Sequence, residues 1–442
     1  MFFDAAARAL AHEVVDALFD HVERIESRPV VDWHTADDIR ARLGGTTAME
    51  CVRQLLDHSI QLHHPSYMGH QVCPPFPAAV IADMVISTLN QSTAVWEMSP
   101  IGTVVEQEIV RWLADCAGYP PAALGTAVSG GSAANLTALL AARAKYPDRR
   151  VVVCGADTHY SVARAAAIMG AEAVSVPTNA AHRMDVDALD ALLADVKPMA
   201  IVATSGSTAT GSFDDLRAIA ALRDRHDTWL HVDAAHGASV LLSPSLKHLV
   251  EGLDRADSFS WDPHKMMWMP LSLGAVLVRD GVWLRRAFAA DAPYLFHGGS
   301  GNIGEMTIQC SKRADAIKLW LTLQIAGTEP IVRALDHVTE ITRYLYERVL
   351  ASDDFEAMHE PEFNIFCFRH RSGDNAQIRE RVIQSGAAWI TSTLLKGERV
   401  LRVTMINPRT QREHVDAMLD LIRSLAPRGG ERVARQAPGE GR

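Results

Sequence analysis

A chain of 442 residues that is 48% hydrophobic and 22% charged can bury a large core and build more than one structural unit. A formal net charge of −10, with no run of Lys or Arg to track a phosphate backbone, argues against a nucleic-acid partner. The six cysteines (Cys51, Cys73, Cys116, Cys154, Cys310, Cys367) form no CxxC pair, which suits a reducing cytosol and speaks against a disulfide framework or a structural zinc site.

In chain order, "MFFDAAARALAHEVVDALFDHVERIES" spaces apolar residues for an amphipathic helix and lacks the basic start and apolar middle of a signal peptide. Residues 1–60 are read as an N-terminal helical segment. No apolar run reaches the roughly 18 residues that cross a bilayer, so no membrane partner is expected and the location is read as cytoplasmic. From about residue 105 to 280, helix and strand alternate. "VVEQEIVRWLADCAG" and "AANLTALLAARAKY" are helical, "RVVVCG" is a strand, "SVARAAAIMG" a helix and "AEAVSVP" a strand. "VDALDALLADV" and "DDLRAIAALRDRH" are helices, while "MAIVATSG", "WLHVDAA" and "SLGAVLVRD" are strands. Strands separated by helices need crossovers, which predicts a mostly parallel sheet covered on both faces. Residues 61–330 form this large α/β domain. "LYERVLASD", "FNIFCFRH", "IRERVIQSG" and "RVLRVTMIN" then fit a smaller α+β domain over 331–425, and the polar tail 426–442 is expected to be disordered.

In open α/β sheets ligands lie beyond the carboxyl ends of the strands, so the chemistry belongs in the loops there. "VSGGSAANL" puts Gly131 and Ser132 at a helix start, where free N–H groups and the helix dipole suit a phosphate but equally make an ordinary N-cap. "ADTHYSVARAA" sets His159 at a strand-to-helix junction, where a histidine is more often structural. In "LHVDAAHGA", Asp233 ends an apolar strand, so its carboxylate is buried and a cation, whether Arg, His or a ligand, is expected to face it. "SWDPHKMM" leads Lys265 into Trp and Met residues, and an amine in apolar surroundings gives up its proton readily and forms a Schiff base. A phosphate cradle, a histidine, a buried Asp and such a lysine, in this order, describe a site for pyridoxal 5′-phosphate.

At these residues the chain resembles the group II pyridoxal-phosphate-dependent amino acid decarboxylases, which have the aspartate-aminotransferase fold. "VSGGSAANL", "DTHYSVARAAAIMG", "ATSGSTATGSFDDL", "HVDAAHGA", "WDPHKMM" and "LRVTMINP" carry the likeness over residues 50 to 425, with the glutamate and cysteine-sulfinate branch nearest. The resemblance implies a homodimer and α-decarboxylation of an L-amino acid through a Schiff base on Lys265. Asp233 would pair with the pyridinium, His159 stack on the ring, and Gly131, Ser132 and His264 lie by the phosphate. Thr208 would sit near the ring, and Arg402 would grip the substrate α-carboxylate. "HHPSYMGHQVCPPFPAA" and "QSTAVWEMSP" would line the substrate pocket with His70, Gln71 and Trp96. Histidines without a motif such as HExxH predict no metal.

Two departures from the family stand out. Asp262 stands where members often carry Asn, and its carboxylate would repel a phosphate dianion. Between "YLFH" (294–297) and "TIQC" (307–310) lies only "GGSGNIGEM", without the tyrosine that relatives use to protonate Cα. The short loop keeps a decarboxylation-dependent, aldehyde-forming reaction or another biosynthetic pyridoxal reaction as the alternative. A catalytically idle cofactor-binding paralogue is the third reading.

Overall fold

The computed structural model describes residues 3–289 and 301–426. The expected tail beyond Ala426 and the "YLFH" segment lie outside these residues.

The large sheet has seven strands: β1 (Leu124–Val128), β2 (Val151–Gly155), β3 (Glu172–Val176), β4 (Ala200–Thr204), β5 (Trp229–Asp233), β6 (Ser258–Trp261) and β7 (Gly274–Val278). Their order is β1-β7-β6-β5-β4-β2-β3. The β3-β2-β4-β5-β6 pairings are parallel, and β7 runs antiparallel to both β6 and β1. The mostly parallel sheet is thus as expected. Every residue of β4, β5, β6 and β7 is buried, as befits a sheet with helices on both faces. The alternating helices form where the pattern placed them, among them Pro100–Cys116, Gly131–Lys145, Ser161–Ile168 and Leu216–His226.

A second, antiparallel sheet of four strands has the order β10-β11-β9-β8, from β8 (Phe355–Ala357), β9 (Ile365–His370), β10 (Thr391–Leu395) and β11 (Glu398–Thr404). The 22-residue helix Glu329–Leu350 buries Ile331, Leu335, Val338 and Leu345 along one face. Buried side chains of both sheets, including Phe259, Trp261, Phe366 and Leu401, belong to one continuous core.

At the other end of the chain, the helix Ala5–Glu23 buries none of its residues. Its Leu18 and Phe19 instead line an open groove of about 800 Å³ with Val80, Ile81, Met84 and Val85 of the helix Pro77–Leu89. No helix among the described residues is long and apolar enough to cross a membrane.

Candidate active site

β1, β2, β4, β5 and β6 point the same way, and the loops after them surround one cavity of about 350 Å³. Gly131, Ser132, His159, Thr208, Asp233, His264 and Lys265 all line it, so the structure gathers the seven residues expected around a cofactor from five separate loops. Gly130 starts the helix Gly131–Lys145 at φ 153°, where a Cβ would stand 2.9 Å from His264 Cε1. Only glycine lets the helix start approach the lysine loop so closely.

Asp233 is 7% exposed. Its Oδ2 accepts from Asn135 Nδ2 at 2.8 Å, and its Oδ1 accepts from Ser260 Oγ at 3.1 Å and from the Ala235 N–H at 3.3 Å. Asn135 is held in turn by His231 Nε2 at 2.9 Å. Burial pushes the His231 pKa down to about 4, which leaves that ring neutral. The expected cation is therefore neither an Arg nor a charged His of the described chain. The carboxylate is oriented by neutral donors and left without a counter-charge.

Lys265 corrects a second expectation. The neighbouring Trp261, Met266, Met267 and Trp268 are buried in the core, but the amine is not among them. Successive side chains of a helical turn diverge by about 100°. Within Pro263–Met266 that sends Met266 inward while Lys265 Nζ reaches the cavity, 3.2 Å from Asp262 Oδ2. The same Asp262 oxygen accepts the Gly131 N–H at 2.9 Å, so the donor assigned to a phosphate is engaged within the chain. His264 Nδ1 accepts from the Leu273 N–H at 3.1 Å, and burial lowers its pKa, favouring the neutral ring.

His159 is half-buried, with Nδ1 2.8 Å from Ser161 Oγ and its ring 4.3 Å from that of Tyr160. Burial lowers its pKa too. His236, unremarked in the sequence, also lines the cavity. Its Nε2 lies 2.8 Å from Asn364 Oδ1, its Nδ1 has no partner, and burial pushes its pKa down to about 3.

Arg402, on β11, is not the surface residue that a lone strand arginine often is, being 5% exposed. Nη1 donates to Thr391 Oγ1 at 3.2 Å, while Nε and Nη2 are buried without partners. Arg402 itself is not part of the cavity wall, but its charge lowers the pKa of His236, which is, and of His70. His70, Gln71 and Trp96 do not line the cavity of this chain. His70 packs toward Trp389, with ring centroids 6.5 Å apart, and Gln71 Nε2 is buried and unpaired. Trp96 is 43% exposed, and its N–H donates to Asn302 Oδ1 at 3.1 Å. In the short loop, Glu305 turns toward Arg285, 4.0 Å away, and is absent from the cavity wall.

Asn135, Ser260 and His236 are the residues that sequence reading passed over. Asn135 had a usable signal, as a polar residue on the buried face of an alanine-rich helix.

Residues 48–371 match the family described as the pyridoxal-dependent decarboxylase conserved domain. The chain is 34% identical over 402 residues to L-2,4-diaminobutyrate decarboxylase of Rhizobium meliloti (strain 1021), across 85% of this chain and 81% of that protein. It is 31% identical over 452 residues to cysteine sulfinic acid decarboxylase of Mus musculus, across 90% and 91% of the two. The aromatic-L-amino-acid decarboxylase of Bacillus atrophaeus is 29% identical over 456 residues and 95% of each chain. A crystal structure of mouse CSAD superposes with a TM-score of 0.90 at 28% identity, covering 96% of this chain and 99% of that one.

Proposed function

The chain belongs to the pyridoxal-dependent decarboxylase family, and we propose that it removes the α-carboxylate of an L-amino acid as CO₂ in the cavity around Lys265. It is an enzyme, and its cofactor is pyridoxal 5′-phosphate.

The observation that carries the reading is Asp233, a buried carboxylate on the cavity wall with three neutral donors and no cation among the described residues. That donor set fits a ring N–H⁺ arriving with the cofactor, since a buried anion is costly until paired. The start of Gly131–Lys145, where the helix dipole turns its positive end to the cavity, fits the phosphate. Lys265 Nζ, already on the cavity wall, fits the aldehyde and is the Schiff-base lysine of this proposal. Bound there, the cofactor supplies an electron sink for the pair left on the substrate Cα when CO₂ departs.

The chain's own groups do the rest. Asp233, fixed by Asn135 and Ser260, keeps a proton on the ring nitrogen. His159 would pack on the ring face, and Thr208 would border it. His264, Ser132 and Gly131 would hold the phosphate, once the Gly131 N–H is released by Asp262. Arg402 offers its two unpaired nitrogens to the substrate α-carboxylate, a bidentate match. His70, Gln71 and Trp96 lie outside the cavity of one chain, so their contact with substrate belongs to the assembled homodimer. The helix Ala5–Glu23 supports that assembly, because its apolar face and the Pro77–Leu89 helix leave a groove open to a second copy. Six free cysteines support a cytoplasmic location.

One observation favours a second reading. Over 301–306 the short loop offers a single ionisable group, Glu305, turned toward Arg285. Without another acid to return a proton to Cα, a two-electron oxidation by O₂ would compete, releasing an aldehyde, ammonia and hydrogen peroxide in place of the amine. Purified enzyme is to be incubated in air with the twenty amino acids and common non-protein ones, following CO₂, amine, aldehyde and peroxide. CO₂ with stoichiometric amine supports decarboxylation. Peroxide with aldehyde promotes the second reading, and no CO₂ from any substrate overturns both.

A further inference from the structure

Asp262 follows β6 and is 1% exposed, yet its carboxylate is part of the cavity wall. Oδ2 accepts the Gly131 N–H at 2.9 Å and lies 3.2 Å from Lys265 Nζ and 3.5 Å from His264 Nε2. Oδ1 is buried without a partner. The group is also wedged, since a Cβ on Gly274 would come within 2.5 Å of Oδ1, and one on Gly131 within 3.2 Å of Oδ2. A single buried carboxylate therefore engages the first N–H of a 15-residue helix and the reactive amine together. Those are the two attractions that a phosphate-bearing aldehyde would use.

We propose that Asp262 is an internal anion that holds the empty cradle in shape and competes with the cofactor's phosphate, so that it sets how tightly the enzyme keeps pyridoxal phosphate. The inference rests on the reading of Lys265 and the Gly131 helix as the cofactor's seat. The physical case has two parts. Without Asp262, an ammonium group and a first-turn N–H would face each other in the empty site with nothing between them, a repulsion of like partial charges. With it, a dianion entering the same helix end meets a fixed negative charge in a buried setting where salt screens little. Asp262 touches the helix and the lysine, and it acts through them as a positioning residue.

The test compares two aldehydes on the full-length chain resolved from its cofactor. Pyridoxal phosphate and pyridoxal present the same aldehyde, and only the first carries the phosphate. Binding is read from the visible absorbance of the adduct and from quenching of tryptophan emission, with no turnover needed. Asp262→Asn keeps an acceptor for the Gly131 N–H and removes the charge. The ratio of the pyridoxal Kd to the pyridoxal phosphate Kd is expected to rise about tenfold or more in that variant. The cofactor should also leave the variant's holoenzyme more slowly when a scavenger traps it. An unchanged or smaller ratio overturns the proposal.

Should Asp262→Asn fail to fold, Asp262→Ala with added formate gives the same answer by rescue. Formate filling the vacated space is expected to weaken pyridoxal phosphate binding to the Ala variant and leave the parent unaffected. No formate effect on a folded Ala variant overturns the idea. An adduct that persists in Lys265→Ala would remove the reading of the seat itself, and this proposal with it. That failure shows without any change at Asp262.

Discussion

Two buried carboxylates flank the large sheet and are treated in opposite ways. Glu106, on the helix Pro100–Cys116, is 1% exposed and pairs with Lys312 Nζ. It also accepts from Thr126 Oγ1 at 2.8 Å, from the Ala127 N–H at 2.9 Å and from Thr93 Oγ1 at 3.3 Å. Asp233 has three donors, all neutral. The buried cations divide in the same way. Lys318 is met by Asp315 at 2.9 Å and Asp83 at 3.5 Å, whereas Arg402 keeps two nitrogens unpaired. A buried charge with an internal partner is closed structure, while one left without a partner is half of an interaction that a ligand completes.

The comparison predicts that substitutions in the two regions fail in different ways. Lys265→Ala should show the largest effect, losing the visible adduct and all turnover. Borohydride reduction of the parent enzyme followed by peptide mapping should tag Lys265, and a tag on another lysine would refute the assignment. Asp233→Ala comes next. It should still bind cofactor but lose several orders of magnitude in kcat, because the ring nitrogen no longer keeps its proton. Near-parental kcat would reduce Asp233 to a strand-end residue.

Lys312→Met moves to the closed region and should cost about 3–5 kcal/mol of stability by stranding Glu106. Adding Glu106→Leu should recover much of that loss, as read from denaturant midpoints, and turnover per folded molecule should stay constant. Arg402→Met is the opposite case. KM should rise roughly 10–100-fold, the worth of hydrogen bonds to a charged group, with stability unchanged or higher. A stability loss like that of Lys312→Met would mean that Arg402 is structural.

The smallest effect concerns pH. Burial holds the His236 pKa at about 3, against 6.5 for an exposed histidine. Between these values the unfolded chain binds a proton that the folded chain refuses, so stability falls as pH drops below 6.5. His236→Gln should remove about 1 kcal/mol of the loss between pH 6.5 and 5.5. An identical acid slope in the variant would assign the proton uptake to other buried histidines such as His231 and His359, which burial holds near 4.

Much of the fold was legible because alternation is a local signal. β2, β3, β4, β5 and β7 all lie within segments whose apolar runs predicted strands, while β9 and most of β11 fall in segments assigned only to a smaller α+β domain. The strands that escaped notice in the large sheet were β1 and β6, "LGTAV" and "SFSW", where Gly, Thr and Ser dilute an already short apolar run. They are the strands that deliver Gly131 and Lys265. They were silent because their apolarity is completed by β7, which pairs with both.

By itself, the sequence determined the order of helices and strands, the loops that carry chemistry, and the residue types that point to pyridoxal phosphate. Each of these depends on neighbours in the chain or on a motif a few residues long. Only the tertiary structure decided the environment of each group. It turned Lys265 from its methionines toward Asp262, gave Asp233 neutral partners from the 131–145 helix and β6, and buried Arg402 with its charge unanswered. Electrostatic energy depends on distance and desolvation in space, and those distances join residues as remote in the chain as Glu106 and Lys312, 206 positions apart.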